Sequence, residues 1–371
     1  MKRSSTYYSA AADAKIALEE VCSRIEREDE TPQLIIFSAD YDSFIECAQE
    51  LKKRFPEALT IGTTSYINFC SRGCGHRGLS VMTVNSGLEC SGGVLFEVGR
   101  YPMNYRQNIA KALEGLSGTD NTCCLEFTTA FSMGEELVLD TFASELNGRD
   151  IPVCGGSSGT DKDDTKTIVS LNGEIYIDAC VFVFIRNLVG KIACVKENIY
   201  RPMDKYFTAT DVDCEERLVY EFDNRPAVEV MEEMLGLKSE ALREAMQFHP
   251  IGRMEGDDIS ITESNLINDD GSISYYARVY NMTRMVLLEQ DNLEEVWEDT
   301  IARAHKLIPK PSFSVVINCL SRSHSFEDAN MFESFCNTLK GGYGTYIGIS
   351  GYGEQLKTVH LNQSMLVLMF E

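Results

Sequence analysis

The sequence contains no hydrophobic run long enough to cross a lipid bilayer. Its longest strongly apolar runs, residues 179–185 and 365–370, fall far short of the roughly 20 residues that a membrane-spanning helix needs. Residues 1–24 also lack the continuous apolar core of a signal peptide. We therefore expect a cytoplasmic protein that does not act at a membrane.

Basic residues are scarce. The chain has 34 Lys and Arg against 57 Asp and Glu, which gives a formal net charge of −23. Such a charge repels phosphate backbones and anionic lipid surfaces. We therefore expect neither nucleic acid nor a membrane as a partner.

The sequence shows no sign of a disulfide framework. Its 13 cysteines are an odd number in a chain of 371 residues, and many of them lie in apolar, strand-like runs. Disulfide-rich scaffolds are usually small secreted domains, whereas this length suggests roughly two domains with cores of their own. We expect the cysteines to be reduced core thiols.

Strand-like and helix-like segments alternate along the chain, which predicts an α/β fold and leaves α+β open. The order strand, helix, strand occurs three times, each time followed by a turn rich in glycine and serine. These turns are GTTS at 62–65, GGSSG at 155–159 and GISGYGE at 348–354. The pattern predicts related modules in two closely packed domains, with Gly62, Gly155 and Gly351 at equivalent strand ends.

Local signals mark several element boundaries. Ser43 with Glu46, and Ser132 with Glu135, have capping-box spacing and predict the starts of two helices. Asn-Gly at 172–173 and the string NDDG at 268–271 predict hairpins. A helix is also expected at 227–235, opened by Pro226.

One loop superficially resembles a metal site. Cys70, Cys74 and His76 lie in the run FCSRGCGHRG, but a structural zinc site needs four donors and no second ligand pair lies nearby in sequence. We predict no metal here. Elemental analysis of protein purified without chelator should show no stoichiometric zinc or iron, and one metal per chain that is lost on Cys74→Ala would contradict this.

The glycine-rich string at 155–159 is not a nucleotide-binding motif. It has neither the lysine of a P-loop nor the three-glycine dinucleotide fingerprint. No cofactor is therefore expected.

The densest group of reactive residues lies near the C terminus. Arg322 follows an apolar strand, Glu354 closes a glycine turn, and Asn362 precedes the last strand. Arg presents a fork to a carboxylate and Glu pairs with an ammonium, so these residues predict a polar binding pocket. Two alternatives remain: Arg322 pairs internally with Glu333 or Glu354, or Cys319 acts as a nucleophile with His360 or Glu354.

The sequence resembles the FIST family, a bacterial sensory domain pair named for F-box and intracellular signal transduction proteins. In the first half IGTTS at 61–65 and VCGGSSG at 153–159 are similar to the family's N-terminal domain. In the second half the strings similar to its C-terminal domain are RLVYEFDNRPAVEVMEEMLG at 217–236, HPIG at 249–252, NCLSR at 318–322, GYGE at 351–354 and HLNQSM at 360–365.

The resemblance implies a sensor of small ligands, such as amino acids, that serves chemotaxis receptors, histidine kinases or cyclic-dinucleotide enzymes. It covers residues 31–371 and implies an N-terminal-type domain at 31–198 and a C-terminal-type domain at 199–371; before them we expect an N-terminal helical segment at 1–30. It implies no catalytic residues. The expected ligand-binding residues are Arg322, Glu354, Asn362, Cys319, Gly351, Gly353 and Asn224.

The sequence departs from the family in two ways. No recognisable output domain follows Glu371, so we expect the output to lie in a separate partner. Ile349 or Ser350 stands where the family commonly has an aromatic residue, which should alter the shape of the pocket. The leading hypothesis is a sensor, and the alternatives are a thiol or acid/base hydrolase and a purely structural or assembly protein.

Overall fold

The structure, a computed structural model, describes residues 3–28, 31–162, 167–256 and 258–371. Two compact units make up the chain. The first comprises the chain up to Lys196, then Asp299–Thr358 and Met365–Glu371, and the second comprises Glu197–Glu298 and Val359–Ser364. In sequence, the second unit is thus inserted into the first.

The first unit begins with a module of six strands and two helices. Its elements are β1 (Ser4–Ser9), α1 (Ala14–Arg27), β2 (Leu34–Ala39), α2 (Phe44–Arg54), β3 (Leu59–Thr64), β4 (Asn68–Cys70), β5 (Gly73–Gly75) and β6 (Leu79–Val84). Asp13 caps α1 by accepting a hydrogen bond from the backbone N–H of Ile16 at 3.1 Å. The helix buries one face because its apolar residues recur at helical spacing.

The second module repeats this order of elements. It contains β7 (Leu88–Phe96), a 3₁₀ turn (Pro102–Tyr105), α3 (Arg106–Glu114), β8 (Thr122–Thr128), α4 (Glu135–Leu146), β9 (Val153–Ser157), β10 (Val169–Leu171), β11 (Glu174–Tyr176) and β12 (Ala179–Asn187). It is followed by β13 (Ile192–Asn198). The predicted hairpin at Asn172 and Gly173 is confirmed, and both turn residues have positive φ.

The inserted second unit is an antiparallel sheet covered by two helices. Its elements are β14 (Tyr200–Asp213), β15 (Leu218–Phe222), β16 (Arg225–Pro226), α5 (Ala227–Leu235), α6 (Ser239–Phe248), β17 (Ile251–Glu255), β18 (Asp258–Thr262), β19 (Ser264–Ile267), β20 (Ile273–Tyr275) and β21 (Thr283–Gln290). The strands run in the order β18-β17-β21-β14-β15-β20-β19, with β16 beside β15. The predicted helix at 227–235 and the hairpin around 268–271 are confirmed.

The third module completes the chain. It contains α7 (Leu293–Leu307), β22 (Phe313–Cys319), α8 (Leu320–Asp328), α9 (Phe332–Tyr343), β23 (Tyr346–Gly351), β24 (Glu354–Leu356), β25 (Val359–Leu361) and β26 (Ser364–Phe370). The α/β prediction is confirmed, and the order strand, helix, strand occurs three times.

Each module contributes one sheet, and each sheet has one parallel pair at its centre. The pairs are β2–β3, β8–β9 and β22–β23. The sheets of the first unit run β1-β6-β2-β3-β10-β11, then β7-β12-β8-β9-β24, and β13-β26-β22-β23-β4-β5. Each of these three sheets therefore ends in a strand or hairpin from another module. The second module extends the first sheet, the third module extends the second, and the first module extends the third.

A core shared by the three sheets lies on their inner faces. Ile36 of the first sheet, Leu125 of the second and Ile317 of the third belong to the same buried cluster. The outer face of the first sheet packs on α1 and α2, and that of the second packs on α3 and α4. Burial of both faces explains why the central strands are apolar throughout.

Strand register identifies the equivalent glycines. Gly62 lies opposite Phe37 in the parallel pair, Gly155 opposite Glu126, and Gly348 opposite Val316. On their other side these glycines face Ser170, Gln355 and Phe69 of the donated strands. The third equivalent glycine is thus Gly348, and the assignment to Gly351 was wrong because GISGYGE contains three glycines and its pattern does not fix which one faces the donated strand.

The two predicted capping boxes do not form. Ser43 has helical backbone angles, and its hydroxyl donates to the carboxylate of Asp40 at 2.8 Å. The second helix begins at Glu135 after Gly134, so Ser132 lies outside it. In both cases the serine hydroxyl donates to a nearby acceptor and does not cap the helix. The Ser132 hydroxyl donates to the carbonyl of Thr129.

Candidate functional site

Three turns meet at the carboxyl ends of the parallel strands of the first unit. They follow β3, β9 and β23, one in each module. One N–H of each turn donates to a carbonyl of another, which closes a cycle. These bonds run from Gly159 N to Thr64 O (3.0 Å), from Tyr66 N to Ser350 O (2.9 Å) and from Tyr352 N to Ser157 O (3.2 Å). We call residues 64–66, 157–159 and 350–352 the strand-end ring.

Hydroxyl groups join the turns of the strand-end ring from within. The Thr63 hydroxyl donates to that of Ser158 at 2.8 Å, and Ser65 Oγ accepts from the Ser350 N–H at 2.9 Å. The hydroxyls of Ser350 and Ser323 lie 2.7 Å apart. All five residues are buried, so these small polar side chains satisfy one another where water is excluded.

Arg322 and Glu354 lie at this edge of the sheets, as the sequence predicted for parallel neighbouring strands. Arg322 is in the first turn of α8, directly after β22, and its guanidinium lies 5.4 Å from the ring centre of Phe326. Glu354 is the first residue of β24, opposite Gly156 of β9. Both side chains are 0 % exposed. An arginine and a glutamate side chain are thus buried beside the strand-end ring.

The buried side chains of Gln355, Ser157 and Glu135 form a hydrogen-bonded chain that ends at the start of α4. The Gln355 amide donates to Ser157 Oγ at 3.0 Å, and the Ser157 hydroxyl donates to the carboxylate of Glu135 at 3.2 Å. Glu135 is the first residue of α4, where the helix dipole favours a negative charge. Sequence reasoning missed Gln355 and Glu135. Their shared partner, Ser157, lies about 200 residues from Gln355 and about 20 from Glu135.

Cys319, Gly351 and Gly353 also belong to this edge of the first unit. Cys319 ends β22 and is 2 % exposed, and its carbonyl accepts a hydrogen bond from the Ser323 hydroxyl at 3.3 Å. Gly351 ends β23, and Gly353 O accepts from the Ser157 N–H at 2.9 Å. The glycines serve the close approach of neighbouring backbones.

The remaining predicted residues belong to the second unit. Asn224 is exposed on the two-residue turn between β15 and β16, where both Asp223 and Asn224 have positive φ. Asn362 is buried, and its side-chain oxygen accepts from the Thr262 hydroxyl at 3.4 Å. His360, the alternative catalytic base, lies in β25 and is also buried. A role of Asn224 and Asn362 in ligand binding stays a prediction.

A cluster of ionisable rings next to the strand-end ring was missed by sequence reasoning. The Tyr66 hydroxyl donates to Glu327 Oε2 at 2.9 Å and lies 3.2 Å from His324 Nδ1. His76 Nε2 lies 2.8 Å from Glu327 Oε1, and its ring meets that of Tyr66 edge-on at 4.8 Å. Burial and the hydrogen bond to Glu327 raise the pKa of Tyr66. Its position directly after GTTS was the only sequence signal.

His76 and Cys70 of the metal-like loop make contacts in different places. His76 binds Glu327, whereas the Cys70 thiol lies on the other side of the hairpin, 3.7 Å from Tyr7 O. Within the described ranges, no group of three or more His, Cys, Asp or Glu side chains is placed to hold a metal ion. No disulfide joins any of the 13 cysteines, all of which lie in the described part of the chain.

The second module carries a buried glutamate where the other two have an apolar residue. Glu126 of β8 occupies the register position of Phe37 and Val316 and is 0 % exposed. Its Oε2 accepts a hydrogen bond from the Thr128 hydroxyl at 2.8 Å. Burial raises the pKa of Glu126 to about 8, an effect to which the nearby Glu135 adds.

The carboxyl ends of parallel strands, where these glycine-rich turns lie, are the edge at which α/β proteins bind their ligands. The FIST N domain model matches residues 33–225, and the FIST C domain model matches residues 227–357. The chain therefore belongs to the FIST family, whose domains are associated with sensing in signal transduction. No curated protein matches the sequence significantly.

The family matches divide the chain near residue 226, while the compact units divide it at Lys196 and Asp299 and again near its end. The domain boundaries expected at residues 30 and 198 stay a prediction. Among the residues that the structure describes, no helix has both the length and the apolar character needed to cross a membrane.

Proposed function

We propose that this FIST-family protein is a cytoplasmic sensor of bacterial signal transduction that binds an amino acid or a similar small metabolite. It passes its bound state to a separate signalling protein, such as a chemotaxis receptor, a histidine kinase or a cyclic-dinucleotide enzyme. A net charge of −23 disfavours nucleic acid and anionic membranes as partners.

The burial of Arg322 and Glu354 beside the strand-end ring carries the proposal. Both side chains lie at the carboxyl ends of parallel strands, the edge at which α/β proteins bind their ligands. The arginine fork fits the carboxylate of an amino acid, and the glutamate fits its ammonium group. The strand-end ring supplies a rigid backbone against which such a ligand is positioned.

The alternative function, a hydrolase with Cys319 as nucleophile, makes a different demand on the thiol. A nucleophilic cysteine needs a stabilised thiolate. Cys319 is 2 % exposed at the end of β22, as buried as Arg322 and Glu354, so the reactivity of its thiol, and not its burial, separates the two functions. Selective alkylation of Cys319 in the folded protein, with turnover of an ester substrate that Cys319→Ala abolishes, would favour the hydrolase.

A thermal-shift screen over the twenty amino acids and common metabolites tests ligand binding directly. A compound present at 100 times its dissociation constant that binds only the folded state adds about 2.7 kcal/mol to the free energy of unfolding. We expect at least one amino acid to raise the melting temperature. A screen without any shift, at millimolar concentrations, would contradict the amino-acid proposal.

Arg322→Lys should weaken binding of the amino acid that gives the largest shift by about tenfold, because lysine keeps the charge but loses the bidentate fork, worth about 1.5 kcal/mol. Isothermal titration calorimetry measures the affinity. Arg303→Lys makes the same change on the exposed face of α7 and is the matched control. Cys319→Ala should retain most of the affinity. Unchanged affinity in a folded Arg322→Lys protein would place the site elsewhere.

A further inference from the structure

A cavity of about 370 Å³ lies between the β4–β5 hairpin and helix α9 of the first unit. Three cysteines line it, Cys70 of β4, Cys74 of β5 and Cys336 of α9. Glu333 and Lys340, on the same helix, lie on its wall. The proposed sensor function uses none of these residues.

Strand register explains why Cys74 and Cys336 line the same cavity. Cys74 lies directly opposite Phe69 in the hairpin, and cross-strand partners project from the same face of a sheet. The Phe69 ring packs against Phe332 and Phe335 of α9, so this face of the hairpin covers the helix. Cys336 follows Phe335, and the Tyr346 hydroxyl fixes its backbone by donating to Cys336 O at 3.1 Å.

The third cysteine on the cavity wall is set apart from the pair. Cys70 belongs to the other face of the hairpin, where it joins the core between the sheets and its thiol contacts Tyr7 O. Burial raises the pKa of Cys70 to about 11, so this thiol is protonated at neutral pH. The geometry therefore selects Cys74 and Cys336.

Cys74 and Cys336 have opposite tendencies to ionise. The neighbouring Cys336 thiol favours the Cys74 thiolate and lowers the pKa of Cys74 to about 7, against the opposing effect of burial. The proximity of Cys74 and burial raise the pKa of Cys336. Besides Cys70, the titratable or charged side chains near the pair are Tyr8, Arg72, His76, Glu327, Glu333, Lys340 and Tyr346. One thiol is thus prepared to attack and its neighbour holds the proton.

We propose that Cys74 and Cys336 form a peroxide-reactive thiol pair, whose oxidation joins the β4–β5 hairpin to α9 through a reversible disulfide. The Cys74 thiolate attacks hydrogen peroxide; a sulfur–oxygen bond forms, the oxygen–oxygen bond breaks, and the hydroxide that leaves takes up a proton to become water. Cys336 then attacks the sulfenic sulfur. The sulfur–sulfur bond forms, the sulfur–oxygen bond breaks, and the Cys336 proton leaves with the hydroxyl as a second water.

Limited oxidation of the purified full chain with hydrogen peroxide tests the pair. Intact mass spectrometry should show the loss of two hydrogen atoms, reversed by dithiothreitol, and peptide mapping after alkylation should find the Cys74–Cys336 disulfide. Cys74→Ser and Cys336→Ser should each abolish it, while Cys214→Ser in the second unit should not. The thiols of the buried Cys154 and the half-buried Cys194 lie 3.5 Å apart and are the competing pair. A disulfide found there in place of Cys74–Cys336 would overturn the proposal.

The pH dependence of alkylation gives a second, independent readout. In the parent protein Cys74 should react with iodoacetamide with a midpoint near pH 7. Cys336→Ala removes the neighbouring thiol that favours the thiolate, so the midpoint should rise towards about 8.5 and the rate at pH 7 should fall roughly threefold to fifteenfold. Cys336→Ser keeps a hydroxyl donor and should restore part of the rate. A midpoint that is the same in all three proteins would show that the thiols do not act as a pair.

Discussion

Gly351→Ala is expected to lower the free energy of unfolding by about 3 kcal/mol or more, a large effect for the addition of one methyl group. A Cβ at Gly351 would lie 1.8 Å from the carbonyl oxygen of Ser157. That oxygen accepts the Tyr352 N–H within the strand-end ring, so it is held in place and relief requires a shift of backbone. The melting temperature should fall by roughly 5 °C for a chain of this size.

A second glycine provides the matched control for this prediction. Gly341 lies in α9, and a Cβ there would meet nothing within 4 Å. Because alanine is favoured over glycine inside a helix, Gly341→Ala should stabilise the protein by about 0.5–1 kcal/mol. Melting curves of the two variants should therefore shift in opposite directions. An unchanged melting temperature for Gly351→Ala would mean that the strand-end ring is not closely packed at this point.

The threefold repeat of strand, helix and strand could be predicted from the sequence because each element has a local sequence pattern. The apolar strands, the helices behind them and the turns rich in glycine and serine recur in the same order three times. The exchange of hairpins could not be predicted. A hairpin such as β4–β5 has strands of three residues, and nothing in so short a pattern tells that it pairs with β23, some 280 residues later.

Only the location of the candidate site in the fold could be predicted from the sequence. Parallel strands bring their carboxyl ends to one edge, which was enough to expect Arg322 and Glu354 there. The partners within the site come from contacts that no spacing rule contains. Tyr66, for example, binds Glu327 across 261 residues of sequence. The choice between Gly348 and Gly351 likewise depends on strand register, which is fixed by the assembled sheets.

Glu126→Gln is expected to make the protein's stability less dependent on pH and to raise it at pH 8. The fully buried Glu126 keeps its proton up to a pKa of about 8 in the folded protein, whereas the ordinary value is 4.5. The folded state therefore binds more protons than the unfolded chain between these values. It follows that the parent protein loses stability as pH rises through this window, by about 3 kcal/mol from pH 5 to pH 8.

The glutamine variant carries no ionisable group at this position, so its free energy of unfolding should not fall with that part of the slope. The glutamine side chain fills the same space as the glutamate beside Gly155. A Cβ at residue 155 would lie 2.5 Å from Glu126 Oε1, so the glycine leaves room for the side chain at 126. Denaturant unfolding at pH 5, 6, 7 and 8 measures the difference, and Glu114→Gln makes the same chemical change at an exposed position of α3. A difference between the Glu126→Gln variant and the parent that does not grow with pH would show that Glu126 is ionised in the folded protein throughout this range.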